Sequence, residues 1–260
     1  MLLRRRRLLA WAGPLAAAGF MLAVLGEARA AEVRVLTAGA MKSVVLEMIP
    51  DFEKRTGHKV LLANDTAGGL KKRIGGGEAV DVAIITSRVV DELIADGKLA
   101  KGSRINLAKV GIGVAVRTGA PLPDIATVES LKHTLVAAKS VAYIDPKSGG
   151  SSGIYFDGLL DRLGIAGDVR PRARLKAGGY VAELVASGEA DLAVHQISEI
   201  VPVTGVTLVG PLPPEVQNYT TYTAGLGVAA LDATAARALI DTLAGPSALP
   251  VLKSRGMEKP

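Results

Sequence analysis

Segments with the character of β-strands and of α-helices alternate along most of this 260-residue chain. Residues 33–36 and 81–86 are short runs rich in branched aliphatic residues, and each precedes a segment with apolar residues at helical spacing. The second run is almost wholly apolar, which is typical of a strand whose two faces are both covered. Alternation of strands and helices predicts parallel sheets flanked by helices. The predicted fold class is therefore α/β.

Two strands that contain glycine are candidates for crossings of the chain between two lobes. They lie at residues 111–116 and 222–227, and glycine at such positions permits close backbone contact and bending. The same strands are also compatible with the interior of a single sheet. The strand pattern by itself leaves both architectures open.

The first thirty residues have the features of a secretory signal peptide. Four arginines at residues 4–7 precede an apolar stretch at residues 8–25, and Ala28 and Ala30 form a small-x-small cleavage motif before Ala31. The apolar stretch is nearly long enough to span a membrane, which needs about 20 residues. The cleavage motif and an internal proline favour a cleaved signal, so we expect a periplasmic protein without stable membrane insertion.

The charge balance changes once the signal is removed. Residues 1–30 hold five Arg and one Glu, which leaves 26 basic and 24 acidic residues in the mature chain. A net charge of +2 with scattered basic residues excludes a nucleic-acid footprint. The chain has no Cys, so thiol nucleophiles, disulfides and Cys-based zinc sites are excluded. We expect no cofactor and no metal.

Four loops follow predicted strands at the edge where open α/β sheets bind ligands. They are residues 37–40, 64–69, 145–153 and 195–198. Three of them open a helix and consist largely of small residues. A helix N-terminus offers unpaired backbone N–H groups and a partial positive charge, which favour an anion. Ordinary helix capping would explain the same residues in any single loop.

Few residues indicate an enzyme. The chain has three histidines, and His195 alone falls in one of the four loops. His195 is interpreted as a ligand donor, a structural hydrogen-bonding residue or a general base, in that order. The sequence contains no His-x-x-x-His metal pair.

Seven segments carry a resemblance to a known family through their order and spacing, at residues 33–42, 52–60, 70–74, 79–84, 145–146, 152–155 and 184–191. With these segments the sequence resembles periplasmic molybdate-binding proteins over residues 32–258. The resemblance implies a class II solute-binding protein with two α/β lobes, each a mainly parallel sheet flanked by helices. It also implies a monomer that holds an anion between its lobes and delivers it to the membrane permease of an ABC-type importer.

The crossover strands then divide the chain. We expect a signal peptide at residues 1–30, a first lobe at residues 31–113 plus 224–260, and a second lobe at residues 114–223. Hinges are expected near Gly113 and Gly225.

The resemblance also implies a ligand site, but with substitutions. The family holds molybdate with uncharged donors, and its two hydroxyl positions correspond here to Ala40 and Ala67, with Thr66 beside the second. Each unmade hydrogen bond to a buried oxyanion costs about 1–3 kcal/mol, so molybdate binding should be weak and a small organic carboxylate fits at least as well. The predicted ligand-binding residues are Gly39, Ala40, Thr66, Ala67, Gly68, Ser151, Ser152, Gly178, His195 and Gln196.

Three functions remain open. The first is a binding protein that delivers a small anion, either a molybdate-like oxyanion or an organic carboxylate, to an ABC importer. The second is an isomerase of a tricarboxylate, because a periplasmic aconitate isomerase is built on a similar scaffold. That reaction needs a base against an acidic C–H bond, either His195 or a carboxylate of the cleft. The third is a sensor without a role in transport.

Overall fold

The computed structural model describes residues 30–260. The predicted signal peptide therefore lies outside the described residues, except for its last position. Within residues 30–260, no helix is both long enough and apolar enough to cross a membrane.

Ten strands and ten α-helices alternate along the described residues. The strands are β1 (Glu32–Ala38), β2 (Lys59–Asp65), β3 (Val82–Thr86), β4 (Ile105–Val110), β5 (Ile112–Arg117), β6 (Val141–Ile144), β7 (Ala173–Lys176), β8 (Leu192–Gln196), β9 (Val206–Pro211) and β10 (Thr220–Leu226). The helices are α1 (Gly39–Thr56), α2 (Ala67–Gly75), α3 (Ser87–Ala95), α4 (Val128–Ala137), α5 (Ser151–Arg162), α6 (Ala166–Val169), α7 (Ala182–Ser187), α8 (Ile197–Ile200), α9 (Ala233–Ala244) and α10 (Ala248–Ser254).

The strands form two sheets of five strands each. The first sheet has the order β2-β1-β3-β10-β4 and the second has the order β7-β6-β8-β5-β9. We call the bodies built on them the first lobe and the second lobe. In each sheet three strands pair in parallel, and the other two pair antiparallel. The predicted two-lobed α/β fold is confirmed, with each sheet mixed and only half of its pairings parallel.

Each lobe has its own apolar core. Helix α1 buries Val44, Val45 and Phe52 in the first lobe. It contains Pro50 yet continues to Thr56, and Gly57 ends it at a φ of 75°. In the second lobe the rings of Tyr143 and Phe156 meet edge to face, with centroids 5.1 Å apart.

The chain passes between the sheets at two adjacent places. Strand β4 leads through Gly111 directly into β5, and residues 212–219 connect β9 to β10. The side chain of Gln217 bridges these two passages, since its Oε1 accepts from the Ile112 N–H at 2.8 Å and its Nε2 donates to the Ile112 carbonyl at 2.9 Å. A Cβ atom at residue 111 would lie about 3.1 Å from the Gln217 side-chain amide, which would have to shift by a few tenths of an ångström. The residue boundaries of the lobes and the hinges near Gly113 and Gly225 stay predictions.

Candidate interlobe site

The four loops selected from the sequence surround one cavity between the lobes. Its volume is about 30 Å³. Loops of the first lobe follow β1 and β2, and loops of the second lobe follow β6 and β8. The lining residues are Ala38, Gly39, Ala40, Asn64, Asp65, Thr66, Ala67, Ile144, Gly150, Ser151, Ser152, Gly179, His195, Glu199 and Tyr222.

Two long helices begin at this cavity without a side-chain cap. Helix α1 has 18 residues and starts directly after β1, with Ala38 as its N-cap residue. Helix α5 has 12 residues and Gly150 as its N-cap residue. Neither residue has a side chain that can accept from the first N–H groups of the helix. One helix from each lobe therefore presents backbone donors that suit an anion.

The lobes touch each other above the cavity. The Thr66 hydroxyl donates to the Ser148 carbonyl at 2.6 Å, and the Gly68 N–H donates to the Gly149 carbonyl at 3.0 Å. A Cβ atom on Gly68 would lie 2.8 Å from the Gly149 Cα atom, so the two glycines permit this approach. We call these four residues the interlobe latch. With the latch formed, the cavity has room for about one water molecule.

His195 and Glu199 form a buried contact on one side of the cavity. His195 is the fourth of the five buried residues of β8, and Glu199 lies four residues later in the short helix α8. The His195 Nδ1 atom is 3.3 Å from the Glu199 Oε2 atom. Neither ring nitrogen of His195 makes a well-directed hydrogen bond to a described residue.

Burial decides the protonation of this pair. It lowers the pKa of His195 to about 3. It raises the pKa of Glu199 to about 8, and the charge of Lys42 opposes the rise only in part. Near pH 7 both groups are therefore mainly neutral, and their contact is not an ion pair. A carboxyl group with a pKa near neutrality is able both to take and to give a proton.

Glu199 also explains the glycine that opens α1. A Cβ atom on Gly39 would overlap the Glu199 carboxyl group. The carboxyl group therefore lies directly against the N-terminus of α1, at the wall between the two lobes.

A chain of polar side chains beside the cavity links the two lobes. The Gln196 Nε2 atom donates to the Thr220 hydroxyl at 2.9 Å and to the Ser151 hydroxyl at 3.3 Å. The Ser151 hydroxyl lies 3.5 Å from the Tyr222 hydroxyl. Thr220 and Tyr222 belong to β10, whereas Ser151 and Gln196 belong to the second lobe.

Seven of the ten residues predicted to bind ligand line the cavity. These are Gly39, Ala40, Thr66, Ala67, Ser151, Ser152 and His195. Of the other three, Gly68 packs on Gly149, and Gln196 lies behind Ser151. Gly178 does not line the cavity, but its neighbour Gly179 does. The Thr66 hydroxyl is occupied, because it accepts from the Gly69 N–H and donates to Ser148. The predicted roles of these residues in binding stay predictions.

Sequence reasoning missed Glu199 and Tyr222. Glu199 stands four residues after His195 and directly after the predicted loop at residues 195–198, and this closeness in the chain was the available signal. Tyr222 was assigned to a crossover strand and not to the site. Among residues 30–260, no group of three or more His, Asp or Glu side chains is placed to hold a metal ion.

Comparison with known proteins agrees with this architecture. The family model for bacterial extracellular solute-binding proteins matches residues 33–258. An aconitate isomerase from Pseudomonas sp. is 34% identical over 230 residues, covering 86% of this chain and 86% of the relative. The molybdate-binding protein ModA of Azotobacter vinelandii is 28% identical over 242 residues, covering 88% of this chain and 90% of the relative.

Solved structures share the fold. The periplasmic molybdate-binding protein of Azotobacter vinelandii superposes with a TM-score of 0.75 at 20% identity, covering 88% of this chain and 99% of that chain. The sulfate-binding protein SubI of Mycobacterium tuberculosis superposes with a TM-score of 0.70 at 13% identity, covering 88% of this chain and 87% of that chain. The chain belongs to the family of bacterial extracellular solute-binding proteins, and its fold is that of the molybdate-binding proteins.

Proposed function

We propose that this protein binds a small polycarboxylate between its lobes and isomerises it by moving a proton, as an aconitate isomerase does. The observation that carries the proposal is the carboxyl group of Glu199, which faces the closed cavity beside a neutral His195. Strongly shifted pKa values in a cleft are typical of catalytic sites. A carboxyl group in the cleft does not help a protein that only binds an anion, because its ionised form repels the ligand.

The chemistry of aconitate fits this group. Aconitate carries a methylene group between a carboxylate and a carbon–carbon double bond. Loss of a proton from the methylene gives an anion delocalised over three carbons and their carboxylates. Return of the proton to the other end of the three-carbon unit moves the double bond and yields the other geometric isomer. Glu199 in its ionised form takes the first proton and, once protonated, returns it, so nothing else is consumed.

The relatives support this proposal at least as well as the molybdate alternative. The aconitate isomerase is 34% identical to the chain, against 28% for the molybdate-binding protein. Alanine at positions 40 and 67 also removes two hydroxyl groups that the sequence comparison assigns to molybdate.

The direct test is NMR spectroscopy of cis- or trans-aconitate with the purified mature protein in D₂O. We expect interconversion of the isomers, with deuterium entering the methylene position to the extent that the proton held on Glu199 exchanges with solvent before it is returned. Glu199→Gln should slow the reaction about 100-fold or more, since a positioned acid–base group contributes about 10²–10⁴ in rate. The rate of the unaltered protein should rise with pH and level off above about pH 8, as Glu199 loses its proton.

Glu215→Gln is the matched control, because Glu215 is exposed and remote from the cavity lining. It should leave the rate unchanged. Calorimetric binding of aconitate without any interconversion would refute the isomerase and leave a binding protein.

The second candidate is a periplasmic binding protein that delivers a small anion to the permease of an ABC importer. The uncapped N-termini of α1 and α5 favour it, since they offer anion donors from both lobes. For this function we expect calorimetry to show tighter binding of an organic carboxylate than of molybdate. A sub-micromolar dissociation constant for molybdate would contradict that order and would mean that backbone donors are sufficient.

A further inference from the structure

Tyr222 places a phenol hydroxyl at the cavity from the first lobe. Its side chain is about 2% exposed and forms part of the lining. The hydroxyl reaches Ser151 of the second lobe, and Gln196 holds Ser151 from behind while it also bonds Thr220. The hydroxyl therefore has a defined position only when the two lobes are together.

The Tyr222 hydroxyl keeps its proton throughout the pH range in which the activity is measured. Burial raises the pKa of Tyr222, and the neighbouring Glu199 raises it further. The hydrogen bonds to Ser151 and Gln196 oppose this shift only in part. The phenol is then a permanent hydrogen-bond donor.

Proton removal from a polycarboxylate needs such a donor. The electron pair of the broken C–H bond moves onto a carboxylate oxygen of the substrate, where negative charge accumulates. None of the lining residues in the described part of the chain is a Lys or an Arg. Neutral donors aimed at the developing charge must therefore stabilise it, and donors of this kind are usually among the largest contributions to a rate.

We propose that the Tyr222 hydroxyl donates a hydrogen bond to the substrate oxygen that gains charge, and that Gln196, acting through Ser151, positions it. This inference rests on the proposed isomerase. Glu199 then moves the proton on carbon while Tyr222 stabilises the charge on oxygen, so one group acts from each lobe. Tyr222 is a catalytic residue in this proposal because it contacts the substrate, whereas Gln196 is a positioning residue.

The test is Tyr222→Phe, which removes the hydroxyl and keeps the ring. We expect kcat for aconitate to fall about 100-fold, the effect typical of losing one such donor, with KM changed less than about 3-fold. The primary deuterium isotope effect on the methylene hydrogen should rise towards its full value, because proton removal then limits the rate. Tyr143→Phe is the matched control, since it removes another buried phenol hydroxyl, the one bonded to Asp157.

Ser151→Ala serves as a second variant in case Tyr222→Phe does not fold. It leaves the Tyr222 hydroxyl without its partner and should lower kcat about 5–10-fold without changing the pH profile set by Glu199. An active unaltered protein whose kcat and isotope effect are the same in Tyr222→Phe would overturn this inference and leave the isomerase intact. An unaltered protein that binds aconitate but does not convert it would overturn both.

Discussion

The contact between His195 and Glu199 joins two ionisable side chains that both stay mainly neutral near pH 7. Charge on either group is disfavoured because the surrounding protein replaces water without offering a counter-ion in contact. Glu199 keeps its proton in the folded protein at pH values where an exposed glutamate has lost it. This difference links folding to pH.

Glu199→Gln should therefore change how stability depends on pH. Between about pH 4.5 and about pH 8, the folded protein holds a proton on Glu199 that the unfolded chain has released, so the free energy of unfolding falls as pH rises. The slope from this one group is about 1.4 kcal/mol per pH unit in that window. The Gln variant lacks this penalty and should gain stability relative to the unaltered protein as pH rises, with His195 contributing equally to both.

Denaturant unfolding at several pH values measures this difference. Glu215→Gln, which removes an exposed carboxyl group, should show no such trend. A stability difference between the Glu199→Gln variant and the unaltered protein that is the same at pH 5 and pH 8 would mean that Glu199 is already ionised in the folded protein.

Single residues also show what the sequence was able to predict. Small residues at strand ends identified most of the cavity lining, because such loops can be recognised from a few consecutive residues. The protonation of Glu199 depends on burial against Gly39 and His195, and Gly39 is 160 positions away in the chain. Pairings at that separation leave no signal in the local pattern of one sequence.

Three elements of the first lobe meet at Asp81, directly before β3. Its Oδ2 atom accepts from the Arg34 backbone N–H at 2.7 Å and from Arg34 Nε at 2.9 Å, and its Oδ1 atom accepts from Arg34 Nη2 at 2.8 Å. The Leu231 N–H, in the segment before α9, donates to Oδ1 at 3.0 Å. Asp81 was predicted to begin a strand at residues 81–86 and belonged to the family segment at residues 79–84, without any indication of these bonds.

Asp81→Asn should lower the free energy of unfolding by about 3 kcal/mol. The substitution keeps the volume but turns an amide N–H₂ group towards donors, and breaking one side of a buried ion pair costs about 3–5 kcal/mol. Arg34 is partly exposed, so the lower end of that range applies. Denaturant unfolding measures the loss, and Asp96→Asn on the surface should cost little. A loss below about 1 kcal/mol would show that β1, β3 and α9 hold together without this carboxylate.

At the scale of the whole molecule, the latch and the cavity determine how a ligand gains access. A cavity of about 30 Å³ is too small for a polycarboxylate, so the lobes must separate to admit it and then close over it around a wider cavity than this one. Within residues 30–260 the chain crosses between them only near Gly111 and Gln217, a narrow connection suited to bending. The family resemblance indicated the two lobes, and the predicted crossover positions stay predictions. The sequence did not indicate that Thr66 and Gly68, predicted as ligand donors, bond the opposite lobe instead.

From the latch we predict that the lobes close without ligand and that one added methyl group prevents this closure. Gly68→Ala adds a Cβ atom 2.8 Å from the Gly149 Cα atom, so the lobes must part. Alanine also favours the helix by about 1 kcal/mol over glycine, so the first lobe itself should stay folded. Gly75→Ala is the matched control, since it adds the same methyl group to α2 where nothing lies within 4 Å.

The chain has no Cys, so cysteines introduced at the exposed Leu46 and Leu175, one on each lobe, are unique sites for a pair of fluorophores. Single-molecule energy transfer should show one closed population for the unaltered protein and for Gly75→Ala. The Gly68→Ala variant should populate a second, open state and lose isomerase activity, because Tyr222 and Ser151 then come apart. A ligand that binds only the closed form restores closure in proportion to its affinity difference for the two states. If the ligand-free unaltered protein and both variants are equally open, the latch forms only after the ligand is bound. That behaviour is expected of the transport function.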